Sequence, residues 1–302
     1  MTTLGRIIES TRHALSGFDA NRDAVSALSA ELDNSAIAIS IDDAGGVGQG
    51  VVAARGLAEI DFEIVRVKSV DAVNGSLLLY PFGRGYRGTN PVTHSTGAEI
   101  RFNPGWPAST VAEHVNGVLR EIYPRIYAVK SAETTFPADR GAITVPADAV
   151  GVISVWVEDR QRTDQWVRED RWTYQPDSTT IGKGLRVGGR YSPGEGVRVV
   201  YAARPVLFDL TGLVSQDFVT VTGLDERLVD LIEIGVAARM APFIDVGKLP
   251  FLSASARTAD ETRGPGQSLS ATRLLYSLFQ QRVEQEQAVL AKEHPIKIHR
   301  AG

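Results

Sequence analysis

Gly83-Arg84-Gly85-Tyr86-Arg87-Gly88-Thr89, followed by His94 and Gly97, separates the run Ser76-Leu77-Leu78-Leu79-Tyr80 from Glu99-Ile100-Arg101-Phe102 and from a helical stretch closing on Ile122-Tyr123-Pro124. Glycines two or three positions apart suit backbone at positive φ or in close approach to another surface. Arg84, Tyr86, Arg87 and Thr89, set among them, can reach outward. Strand, glycine-hinged loop, strand, turn and helix in immediate succession point to an α+β fold in which the loop makes contacts rather than performing chemistry.

Upstream of that loop, Ile60-Asp61-Phe62-Glu63-Ile64-Val65-Arg66-Val67-Lys68 alternates apolar and charged residues with period two, and Asn74-Gly75 is a strong hairpin-turn signal. This predicts a half-solvated antiparallel hairpin. Ala36-Ile37-Ala38-Ile39-Ser40-Ile41 predicts a further strand, which runs into the glycine cluster at 45–50. Leu4, Ile7, Ile8, Ala14 and Leu15 have helical spacing, and Val25, Leu28 and Leu32 form a second short stripe, so two helices are expected before residue 33.

Downstream, Ser109 with Glu113 opens an apolar helical stripe through Val111, Val115, Val118, Leu119 and Ile122, interrupted by Pro124. From 141 to 207 the pattern is β, with strands expected at 143–145, 150–157, 166–174, 185–187 and 197–203, the spacing of a small sandwich or barrel. Leu224, Leu228, Leu231, Ile232, Val236 and Met240 mark one late helix and residues 268–292 another, with a polar loop at 253–267 between them. The organisation read from the chain is therefore N-terminal helices (1–33), a β-rich segment with glycine-rich loops (34–107), a helix (108–130), a sandwich-like insertion (131–222), a C-terminal helical pair (223–292) and an extended arm (293–302).

The 302 residues are 43% hydrophobic and carry a net charge of -4, enough to bury real cores but with no global positive field to draw the chain onto nucleic acid or an anionic membrane. Cysteine is absent, which excludes disulfides, thiolate nucleophiles and cysteine-ligated metal. No apolar run approaches the roughly 18 residues of a membrane span, and the first residues lack the layout of a signal peptide.

The sequence offers little reaction chemistry. The 45–50 cluster lacks the room for a crossover helix that a dinucleotide site needs, and Gly182-Lys183-Gly184 lacks the upstream glycine and hydroxyl of a phosphate loop. His13, His94, His114, His294 and His299 show no metal-ligand spacing, and no serine elbow is present. Glu158-Asp159 and Glu169-Asp170, beside arginines, read as turn charges. Trp156, Trp166, Trp172 and Tyr174 suit a core, with an exposed carbohydrate platform as the competing reading. Neither catalytic residues nor a cofactor or metal site is expected.

The sequence of strand 77–80, the 83–97 loop, strand, the helix ending Ile122-Tyr123-Pro124, the tryptophan-containing β region closing in Val197-Arg-Val-Val-Tyr201, and the terminal helices with Val236-Ala-Ala-Arg239 resembles head-to-tail connector (adaptor) proteins of tailed-bacteriophage virions. That resemblance implies a structural virion protein of the phage neck, assembled in the host cytoplasm: a helical body with β insertions, most often twelve identical subunits in a ring. The ring would join the portal of the DNA-filled head to the tail and surround a channel through which double-stranded DNA passes without specific binding, with no membrane contact. Its implied contacts are a portal-docking arm (Lys292, Pro295, Ile296, Lys297, Ile298, His299, Arg300) and a loop (Arg84, Tyr86, Arg87, Thr89, His94) facing a neighbouring subunit or a tail-side neck protein. The long β segment before residue 108 departs from the smallest adaptors. A minor tail or baseplate protein with a sugar-binding module, and a hydrolase of unknown substrate, remain the alternatives.

Overall fold

The computed structural model describes residues 2–16, 24–42, 56–71, 73–138, 142–159, 165–178, 182–189, 191–210, 215–246 and 267–296. The fold is α+β, and the chain divides into two compact units. The first comprises Met1–Val118, Phe208–Phe218 and Val229–Phe279; the second comprises Leu119–Leu207, Val219–Leu228 and Gln280–Gly302.

In the first unit, helix α1 (Leu4–Ser16) places Leu4, Ile7, Ile8, Thr11 and Leu15 on one fully buried face, the four-residue recurrence expected of an amphipathic helix. Then come β1 (Ala24–Ala27), β2 (Ala38–Ser40), β3 (Leu57–Ile60), β4 (Glu63–Asp71), β5 (Ser76–Leu79) and β6 (Glu99–Phe102). They form one antiparallel sheet in the order β1-β6-β3-β4-β5-β2. Past its edges Leu28 bridges Ile41, Ser29 N–H donates to Ser40 O (3.0 Å) and Asp42 N–H to Ala27 O (3.0 Å), so the sheet curls until its outer strands meet. Its interior is an apolar cluster that includes Leu28, Ile39, Ile60, Val65, Leu77 and Phe102.

Two expectations change here. The stripe Val25, Leu28, Leu32 is not a second helix: Ala24–Ala27 pairs with Phe102 to Glu99, and Val25 is half exposed. Three apolar residues over eight positions fit a strand followed by bends as well as a helix, and pairing to β6 decides between them. The alternating run 60–68 is not one strand either. It turns at Asp61-Phe62, with Asp61 at φ 54, a conformation aspartate tolerates and a period-two pattern does not reveal. The Asn74-Gly75 turn joins β4 to β5 as expected.

Helix α2 (Ala108–Ile122) buries Val111, Val115, Val118, Leu119 and Ile122. The second unit then contributes β7 (Ala128–Thr135), β8 (Ile143–Thr144), β9 (Ala149–Glu158), β10 (Trp166–Glu169), β11 (Trp172–Ser178), β12 (Gly182–Val187) and β13 (Gly196–Ala203). These make a four-stranded sheet, β10-β9-β13-β7, and a three-stranded sheet, β11-β12-β8. Strand β7 carries too few apolar residues to signal itself and exists by pairing along its length with β13. The expected single strand at 166–174 is two strands belonging to different sheets, broken at Asp170-Arg171.

The remaining helices are α3 (Phe218–Thr222), α4 (Val229–Val246) and α5 (Gln267–Glu293). Within the first unit α1 packs on α4. The 45–50 glycine cluster and all of the 253–267 loop up to residue 266 lie outside the described residues.

Candidate functional site

The 83–97 loop is anchored from below by a carboxylate. Glu63, the first residue of β4, is 1% exposed. Arg84 grips it with two parallel bonds, Nε to Oε1 (2.6 Å) and Nη2 to Oε2 (2.8 Å), the bidentate geometry that makes arginine–carboxylate pairs strong. The backbone N–H groups of Gly85 (2.9 Å) and Val92 (3.2 Å) donate to the same carboxylate. The Arg84 guanidinium also donates to the carbonyls of Asp33, Ala36 and Val92. His94 bridges two acids, Nε2 to Glu63 Oε2 (2.9 Å) and Nδ1 to Asp61 Oδ2 (2.7 Å), and its backbone pairs reciprocally with Leu32.

Burial alone would raise the Glu63 pKa, but the hydrogen bonds from Arg84, His94, Gly85 and Val92 outweigh it and hold the group down at about 2. For His94, burial disfavours the imidazolium, yet the bonds to Asp61 and Glu63 prevail and raise its pKa. With His94 protonated the cluster holds two cations against two anions.

Two of the five residues expected in loop contacts lie within this network. The side chains of Arg84 (7% exposed) and His94 (0%) point inward and hold the loop's shape. Arg87 is exposed, and Tyr86 and Thr89 are half-buried. Thr89 Oγ1 accepts the Ile64 N–H (3.0 Å) and donates to Tyr86 O (3.0 Å), while the Arg66 guanidinium stacks on Tyr80 (4.6 Å) and Tyr86 (5.6 Å). Glycine is required at 83 and 85: a Cβ on Gly83 would lie 2.8 Å from two carbonyl oxygens, and Gly85 has φ 59 with a Cβ position 2.6 Å from Thr89 O. Sequence reasoning missed Asp61 and Glu63, whose alternation with apolar neighbours reads as a solvated strand face.

In the second unit the C-terminal segment is anchored before it ends. Tyr127 Oη donates to His294 O (2.7 Å), and Arg227 pairs with Glu286 (3.3 Å) and Glu293 (3.3 Å). A pocket of about 230 Å³ lies here, lined by Ile126, Tyr127, Val129, Val219, Leu224 and Leu290 among others. Of the expected arm, Lys292 and Pro295 are exposed, and Ile296 rests on Gly151 of its own unit, where a Cβ would come within 2.8 Å of its methyl. Lys297, Ile298, His299 and Arg300 lie outside the described residues.

The aromatic residues of the β region are divided between its two sheets, Trp156 and Trp166 in the four-stranded one and Trp172 and Tyr174 in the three-stranded one. Trp172 is buried, Trp166 sits under the Arg198 guanidinium (4.2 Å) in the other sheet, and the Tyr174 hydroxyl donates to Ala149 O (3.4 Å). Glu169 accepts the Tyr191 hydroxyl and Asp170 pairs with Arg168 (3.4 Å), as befits turn charges. Among the described residues no cluster of three metal-ligating side chains occurs, and no helix is long and apolar enough to cross a membrane.

No curated protein matches the chain. Residues 92–286, well over half of it, match the family described as SU10 adaptor protein. The match starts inside the 83–97 loop, so most of the curled sheet precedes it. The chain belongs to the SU10 adaptor protein family, and is thus a phage head-to-tail adaptor and a structural protein of the virion.

Proposed function

We propose that this adaptor assembles as a closed ring of identical subunits, twelve in number, that joins the portal of the DNA-filled head to a tail-side neck protein and lines the DNA exit channel. The observation that carries this reading is the family match over residues 92–286. The absence of cysteine and the modest negative charge support it physically. Subunit packing replaces disulfide stapling, and a chain of net charge -4 offers few cations for DNA phosphates to adhere to during passage.

Two surfaces carry the contacts. Residues 292–300, starting at Lys292 and Pro295, dock on the portal through Ile296 and Ile298 with the cations Lys297, His299 and Arg300. The outer rim of the 83–97 loop, Tyr86, Arg87 and Thr89, faces the neighbouring subunit or the tail side, held in shape by Arg84 and His94. Native mass measurement of the purified protein tests the ring, with a single closed twelve-subunit species expected and a monomer at micromolar concentration overturning it. Deletion of 297–302, which leaves Glu293 and His294 in place, should abolish co-assembly with portal while leaving the ring; unchanged portal binding would remove the arm from the proposal.

A further inference from the structure

Tyr80-Pro81-Phe82-Gly83 is a tight turn closed by Gly83 N–H donating to Tyr80 O (2.8 Å). Proline occupies its first central position, and Phe82 occupies the second with φ 61, where glycine or asparagine is the unstrained choice. Left-handed backbone disfavours any side chain with a Cβ. Asp61, Arg87 and Asn103 also have positive φ, but Phe82 is the apolar member of that set among the described residues, and its side chain is 97% exposed. Strain and solvent exposure of an aromatic ring thus fall on the same residue, although a glycine would remove both.

The turn is nevertheless rigid. Arg66 N–H donates to Gly83 O (2.7 Å), Tyr80 N–H donates to Arg66 O (3.1 Å), and the Arg66 guanidinium lies on the Tyr80 ring. A ring with two rotatable bonds on a fixed turn loses little entropy on binding. This is the construction of an anchor for a preformed hole.

The same chain carries such a hole. The pocket between Tyr127 and Leu290 has a volume of about 230 Å³, against about 150 Å³ for an apolar cavity that accepts benzene. Asp225, Glu286 and Glu293 edge its apolar walls; Arg227 pairs with Glu286 and Glu293, and Arg282 with Glu286, so three acids outnumber two arginines, while Arg87, exposed on the Phe82 loop, supplies the opposite charge. A knob and a hole on different parts of one chain make a heterologous contact, the kind that propagates from copy to copy and closes into a ring.

We infer that Phe82 inserts into the Tyr127–Leu290 pocket of the next copy of this chain, with Arg87 facing the acidic rim. The inference rests on the ring reading above. Because the chain has no cysteine, introduced thiols report one contact only. The variant Phe82→Cys/Val219→Cys, with Val219 at the pocket wall, should give under mild oxidation a ladder of linked subunits that each single variant lacks. Phe82→Gly should raise the melting temperature of the dissociated subunit while weakening assembly at least tenfold. A ring by native mass with no ladder, or an unaltered ring in Phe82→Gly, overturns the pairing and leaves the ring standing; monomers under all conditions overturn both.

Discussion

Glu59 and Glu63 lie on adjacent strands of the same curled sheet, both almost fully buried and each bonded to an arginine, yet their carboxyl groups are driven in opposite directions. Glu63 receives two bonds from Arg84, one from His94 and two backbone donors, and is held down at about 2. Glu59 receives Arg12 (2.5 Å) and the Ala108 N–H (2.6 Å), where it caps the start of α2, and here desolvation outweighs Arg12 and Ala108 so that the pKa rises. The number of donors converging on a buried carboxylate, rather than the presence of an arginine, decides which form the fold favours. The Glu63 region is a clamp on a loop; the Glu59 region is a joint between a helix start and a strand.

The largest expected effect comes from leaving the clamp uncompensated. Arg84→Met strands the Glu63 charge in the interior and should cost about 3–5 kcal/mol of subunit stability, read from the urea midpoint. Adding Glu63→Gln should restore part of that loss, since the double variant no longer buries a lone charge. A loss below about 1 kcal/mol would mean that the backbone donors hold Glu63 without Arg84.

Arg12→Met is the matching change at the joint and should cost less, about 1–3 kcal/mol, because Glu59 is already biased toward taking up a proton. Its cost should shrink between pH 8 and pH 5. A raised carboxyl pKa means that the folded state binds the extra proton, so stability lost through Glu59 returns as pH falls. Equal losses for Arg12→Met and Arg84→Met at both pH values would erase the distinction between the two regions.

The clamp has its own pH signature. His94 is raised above 6.5, so its contribution is complete below about 6.5 and fades as pH climbs through the folded value. Glu63 is lowered from 4.5 to about 2, so its contribution is complete above about 4.5 and is lost as pH falls toward about 2. The clamp's own contribution to stability should form a plateau between those limits. His94→Gln should remove the decline on its alkaline side; a profile identical to that of the unaltered chain would exclude His94 as its source.

What the sequence made legible follows from which forces act locally. The Asn74-Gly75 hairpin, the stripe of α2 and the late helices announce themselves through turn chemistry and periodicity within a dozen residues. Strand β7 does not, because its existence depends on β13, some sixty residues on. The helix opening expected at Ser109 comes one residue earlier, at Ala108, whose N–H is met by Glu59 from a distant strand. The glycine spacing identified the 83–97 loop as special without telling its two arginines apart. Only tertiary placement shows that Arg84 and His94 turn inward onto Glu63.

Arg87 therefore provides the smallest effect on stability and the sharpest contrast. It sits three residues from Arg84 in the same loop, exposed, with φ 58. Arg87→Ala should alter subunit stability by no more than about 0.5 kcal/mol, as for other surface changes, because among the described residues no buried carboxylate is bonded to it. If the loop's interior face builds the fold and its outer face serves assembly, the same substitution should weaken subunit association, measured as the concentration at which the ring dissociates and amplified at low salt. A stability loss comparable to that of Arg84→Met, with association unchanged, would show that the division between inner and outer faces is wrong and that both arginines serve the fold.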